Sequence, residues 1–137
     1  MNSGLPQVRQ WSTIFYLVGG NAPWLTVVEL PAYVARAEKL LTVEERTSVI
    51  DMLAKDPTCG DVIRDTNGVR KLRVPASGRG KRGGARVIYY FHNGTMPVLL
   101  YTIYAKNEKA ELSAGEKRAL GEITAAIRRE AIKRRRT

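Results

Sequence analysis

Val69-Arg70-Lys71-Leu72-Arg73-Val74 is the stretch at which this chain changes from helical to sheet patterning. Charged and apolar side chains alternate there with period two, so a strand puts Lys71 and Arg73 on one face and Leu72 and Val74 on the other. Arg86-Val87-Ile88-Tyr89-Tyr90-Phe91 reads as a second strand, and Asn93-Gly94 marks a hairpin turn after it. The run from Val98 to Ala105 is nearly all apolar or aromatic, which predicts a central strand covered on both faces. A glycine-rich loop, Ser77 to Gly84, joins the first two strands.

Upstream the pattern is helical. Leu25-Thr26-Val27-Val28-Glu29 is a β-branched strand stopped by Pro31, which suits the first residue of a helix. Tyr33, Ala37, Leu40 and Leu41 follow at helical spacing. Thr42 and Glu45 have capping-box spacing and open a second helix with Val49, Ile50 and Leu53 on its apolar face, ended by Pro57. Downstream, Ser113 and Glu116 repeat that spacing and open a helix striped by Leu120, Ile123 and Ile127. The order predicts an α+β domain: a small antiparallel sheet, an N-terminal α-hairpin and a C-terminal helix. Residues 1–24 show no sustained period and read as an N-terminal extension; residues 25–137 read as the domain proper, with the basic tail Lys133 to Arg136.

A chain of 137 residues, 44% hydrophobic and 26% charged, is one ordinary globular domain. Lys plus Arg number 23 against 13 for Asp plus Glu, a formal charge of +10 that suits RNA, DNA or an anionic membrane surface. Cys59 and His92 are the only residues of their types, so no internal disulfide forms and no zinc-ligand spacing exists. The apolar run Ile14 to Val18 is far short of the about 20 residues that span a membrane. No signal-peptide pattern precedes it, so the expected compartment is the reducing cytoplasm, with no membrane partner.

The cations are concentrated. Between Asp65 and Glu108 there is no acidic side chain, while Arg70, Lys71, Arg73, Arg79, Lys81, Arg82, Arg86 and Lys106 all fall in that window. Cations gathered without carboxylates to pair them call for an external polyanion. The loop is not a nucleotide-binding motif, because Lys81 is followed by Arg82 and not by Ser or Thr. A solvated strand face is the plain alternative for Lys71 and Arg73, and a hairpin surface position the plain alternative for His92.

Val69 to Arg73, Gly78 to Tyr90 and Tyr104-Ala105-Lys106-Asn107-Glu108-Lys109-Ala110-Glu111-Leu112-Ser113 together resemble the RelE/HigB toxins of bacterial type II toxin–antitoxin modules. The likeness is nearest the HigB branch, whose antitoxin is a helix-turn-helix protein, and covers roughly residues 25 to 131. It implies a RelE-like fold and a ribosome-dependent messenger-RNA endonuclease, acting in the A site of the 70S ribosome by 2′-hydroxyl attack and needing no cofactor. Carried over by position, Lys71, Arg73, Arg86 and Lys106 are the implied catalytic cations, with Lys71 as proton acceptor and Arg73 and Arg86 on the scissile phosphate. Planar guanidinium groups suit that role, since they bind phosphate oxygens bidentately and stabilise the extra charge of a phosphorane. Arg70, Arg79, Lys81, Arg82 and Tyr90 are the implied RNA contacts. Where some relatives carry an arginine after the Lys106 position and a tyrosine near the last helix, this chain has Asn107 and about Ser113. The acid for the leaving oxygen is therefore open among Tyr89, Tyr90 and Tyr104. Two other functions share the composition: a same-fold toxin that poisons DNA gyrase, and a non-catalytic RNA-binding module.

Overall fold

Each helix of the N-terminal hairpin starts where its sequence predicts. The computed structural model describes residues 16–17, 24–77 and 84–136. Pro31 opens α1 (Pro31–Leu40), which buries Tyr33, Ala37 and Leu40. Thr42 caps α2 (Val43–Lys55) reciprocally: its hydroxyl accepts from the Glu45 N–H at 3.0 Å, and the Glu45 carboxylate accepts from the Thr42 N–H at 2.9 Å. Val49, Ile50, Leu53 and Ala54 form the buried face of α2.

Before the hairpin, β1 (Tyr16–Leu17) and β2 (Trp24–Leu25) make a two-residue antiparallel ladder of their own, a pairing that the irregular sequence of residues 1–24 does not reveal. The main sheet holds β3 (Val27–Glu29), β4 (Asp61–Val62), β5 (Arg70–Val74), β6 (Ala85–Tyr90) and β7 (Val98–Ala105), in the order β3-β7-β6-β5-β4. It is mixed, which corrects the antiparallel sheet expected from the sequence. β3 runs parallel to β7, with Val27 opposite Val98, because the α1–α2 hairpin and the strands after it carry the chain across the sheet between them. β4 is an edge strand of two residues, both exposed, too short to carry an alternation signal.

One core lies between the sheet and the hairpin and includes Tyr33, Leu53, Leu72, Val87, Tyr89, Leu100 and Ile103. A second lies under α3 (Ala114–Arg136), where Val69, Ile88, Tyr90, Tyr101 and Tyr104 pack with Leu112, Leu120 and Ile127. The Ser113–Glu116 capping box forms, with reciprocal bonds of 2.8 and 3.1 Å. The predicted stripe needs one correction: Ile123 is 52% exposed, and Thr124 takes the inward position with its hydroxyl 2.8 Å from that of Tyr101. On a helix with 3.6 residues per turn, positions 120, 124 and 127 cluster tightly while 123 falls toward the edge. Gly121 lets α3 approach the loop before β5 closely, since a Cβ there would meet the Thr66 backbone at 3.3 Å. The turn between β6 and β7 forms with Asn93 in its first position, where its side chain accepts the Thr95 N–H at 2.9 Å. Among the described residues no helix is long and apolar enough to cross a membrane.

Candidate functional site

The ladder of β5, β6 and β7 decides which side chains share a face. Arg73 stands directly opposite Arg86, and Arg86 directly opposite Tyr104, so the three form one row across three strands. Like charges set opposite one another destabilise a sheet by roughly 0.2–1 kcal/mol. Lys71 lies two residues along the same face, opposite Ile88 and half-buried. The row sits on the face that α3 covers, but at the end of the sheet where β6 begins and β7 ends.

A bulge makes this row. Near the hairpin turn Tyr90 pairs with Leu99 and Tyr89 with Leu100, a register that, continued, would bring Ile103 opposite Arg86. The register shifts between Ile88 and Tyr89, and Tyr104 takes that place instead. One extra residue in β7 therefore turns a polar aromatic, and not an isoleucine, toward the arginines.

Arg73, Arg86 and Lys106 line one open depression of about 440 Å³, completed by Val74, Pro75 and Gly84. No carboxylate is among these lining residues. Arg86 is only 6% exposed, and its Nη1 donates to the Ala85 carbonyl at 3.3 Å, while Arg73 is exposed. Lys106 is exposed as well and is tied to the entry of β6 by its backbone N–H, which donates to the Gly84 carbonyl at 3.1 Å. Gly84 has φ +72, and a Cβ there would collide with the Val74 carbonyl oxygen. The end of β7 is further clamped by Glu108, whose Oε1 accepts the Ala105 N–H at 2.9 Å and the Arg36 Nη2 at 2.6 Å.

The depression thus brings together three of the four cations expected to be catalytic, and Lys71 lies beside it. The expected RNA contacts fare differently. Arg70 points to the other face, where its Nη1 donates to the carbonyls of Gly60 at 2.7 Å and Thr58 at 3.1 Å, so its guanidinium fastens the loop after α2. Tyr90 is 4% exposed in the core under α3, with its hydroxyl 3.1 Å from His92 Nδ1. Its ring packs in that core at the hairpin end of β6, four residues along the strand from Arg86. Arg79, Lys81 and Arg82 lie outside the described residues.

The strand tyrosines divide by what their hydroxyls meet. Tyr89 donates to the Pro57 carbonyl at 2.9 Å and accepts the Gly60 N–H at 2.8 Å, and burial drives its pKa upward. Tyr101 meets Thr124, and Tyr90 meets His92. Tyr104 is 3% exposed, and among the described residues its buried hydroxyl has no hydrogen-bond partner. Burial raises its pKa and the nearby Arg86 pulls it back down. The sequence held no signal for this difference, because it depends on the bulge.

Residues 62–134 match the model of the RelE toxin of the RelE / RelB toxin-antitoxin system, and with more than half of its length so matched, the chain belongs to the RelE toxin family.

Proposed function

We propose that the protein is the toxin of a type II toxin–antitoxin module and acts as a ribosome-dependent messenger-RNA endonuclease. The observation that carries the reading is the depression lined by Arg73, Arg86 and Lys106 without a carboxylate. Two arginines held opposite each other oppose folding and favour a bound anion. The chemistry follows from their charge. A ribose 2′-hydroxyl attacks the adjacent phosphate, and the pentavalent phosphorane carries more negative charge than the ground state. Fixed guanidinium groups therefore stabilise the transition state more than the substrate. Lys71, on the same face, is the acceptor for the 2′-hydroxyl proton, and Lys106 adds a third charge to the phosphate site. The products are a 2′,3′-cyclic phosphate and a 5′-hydroxyl. The partners in this reading are translated messenger and ribosomal RNA at the 70S A site, and a cognate helix-turn-helix antitoxin that silences the toxin.

The test is to map messenger-RNA 5′ ends after brief induction in cells, with wild type beside Arg73→Ala and Arg86→Ala. In-frame cuts inside translated regions, lost in both variants and when initiation is blocked, support the reading. Growth arrest without such cuts would refute it and favour a gyrase-directed toxin.

A further inference from the structure

We propose that Tyr104 is the proton donor to the leaving 5′-oxygen, an assignment that rests on the endonuclease reading above. Strand cleavage by a 2′-hydroxyl expels a 5′-alkoxide, a poor leaving group that a positioned acid accelerates. The chain's single histidine, His92, is engaged with the Tyr90 hydroxyl. The arginines keep their protons, so the donor must come from another residue type.

Tyr104 meets the requirement by position and by what it lacks. It stands opposite Arg86 in the ladder, one strand further from Arg73. It lines a second depression, of about 280 Å³, whose lining includes Arg36, Lys109 and the carboxylates of Glu108 and Glu116. Arg86 lines the first depression and its register partner Tyr104 the second. In the proposed step a phosphate held by Arg73 and Arg86 turns one of its bridging oxygens toward Tyr104, whose hydroxyl, shielded from solvent here, is uncovered as RNA binds. Among the described residues the hydroxyl is buried without a partner, a condition that native structures seldom tolerate and that a substrate oxygen would relieve. Lys109 holds its ammonium 5.6 Å from the centre of the Tyr104 ring and is paired with Glu116, while burial and the Glu111 and Glu116 carboxylates favour the neutral phenol, which keeps the proton to be given.

The step balances. The 2′-oxygen forms its bond to phosphorus and gives its proton to the Lys71 amine. The bond from phosphorus to the 5′-oxygen breaks with its electron pair on that oxygen, which takes the Tyr104 proton. The phenolate regains a proton from water, and Lys71 releases its own.

The experiment uses purified toxin and programmed 70S ribosomes, with a messenger whose bridging 5′-oxygen at the scissile A-site linkage is replaced by sulfur. A thiolate leaves without proton donation. Tyr104→Phe is expected to cut the natural linkage at least about 100-fold more slowly than wild type. It is expected to cut the sulfur linkage at nearly the wild-type rate, with an unfolding midpoint equal to or above wild type. Equal slowing on both linkages would make Tyr104 a structural residue and overturn the assignment. So would an unslowed Tyr104→Phe, or a Lys106→Ala variant rescued by sulfur in its place. If wild type cuts neither linkage, the endonuclease reading itself fails, and the assignment fails with it.

Discussion

Two places in this molecule hold arginine against the sheet, and they treat it in opposite ways. Under the N-terminal hairpin, Glu29 is fully buried and Arg46 meets its carboxylate twice, Nη2 to Oε1 at 2.9 Å and Nε to Oε2 at 3.3 Å. At the end of the sheet where β6 begins, Arg86 is nearly as buried, but the residue opposite it is Arg73 and the hollow they share has no carboxylate in its lining. The first arrangement joins β3 to α2 and serves the fold. The second sets like charges against each other in the ladder, and under the proposed function it serves a ligand. Substitutions in the two places should separate stability from activity.

The largest effect is expected at the paired site. Arg46→Met leaves Glu29 buried without its partner and should destabilise the protein by about 3–5 kcal/mol, measured by urea unfolding. Restoring neutrality with Glu29→Gln in the same chain should recover a good part of that loss. A small loss in Arg46→Met would erase the contrast between the two places.

Next is the row. Arg73→Ala or Arg86→Ala should lower ribosome-dependent cleavage by roughly 100- to 1,000-fold, the usual result of removing one transition-state donor. For the exposed Arg73, stability should hold or rise by up to about 1 kcal/mol as the like-charge opposition is relieved. A large drop in stability would mean that Arg73 serves the fold as Arg46 does.

Gly84→Ala sharpens the comparison further. Its positive φ and the collision with the Val74 carbonyl should cost about 1–3 kcal/mol in urea unfolding, because backbone has to move. Cleavage should fall as well, since Gly84 ties Lys106 to β6 beside the arginines. Unchanged stability would show that the turn has room.

The smallest effect concerns pH. Glu116 bonds the Lys109 ammonium and accepts from the Ser113 N–H, and these contacts hold its carboxyl below the usual carboxylate range. A depressed folded pKa contributes stability that is present above the unfolded value and lost as pH falls through the folded one. Glu116→Gln should therefore flatten the acid limb of the stability curve below about pH 4.3, the ordinary glutamate value, and change little at pH 7. An acid limb identical to wild type would remove Glu116 from this account.

Much of the fold was legible because it is written locally. Pro31, the Thr42–Glu45 and Ser113–Glu116 boxes and the alternation at Lys71 to Val74 each act within a few residues of themselves. The parallel pairing of β3 was not legible, since it joins segments about 70 residues apart and depends on where the hairpin returns the chain. Ile123 and Thr124 exchanged places because a stripe read by apolar character ignores a hydroxyl that finds a buried partner in Tyr101. At the site, strand alternation was enough to put Lys71 with Arg73. The same alternation puts Arg70 on the opposite face, where its guanidinium is taken up by two carbonyls of the loop after α2. The Arg86–Tyr104 pair was beyond reach for another reason: the bulge between Ile88 and Tyr89 resets the register, and no residue in either strand announces it.

The claim at the centre is that the arginine row exists for RNA at the expense of the sheet. The most direct measurement takes one purified sample of Arg73→Ala and determines both its urea midpoint and its cleavage of messenger on programmed ribosomes. The expected result is a midpoint at or above wild type with cleavage reduced at least about 100-fold. Wild-type cleavage, or lost cleavage accompanied by a lowered midpoint, would contradict it.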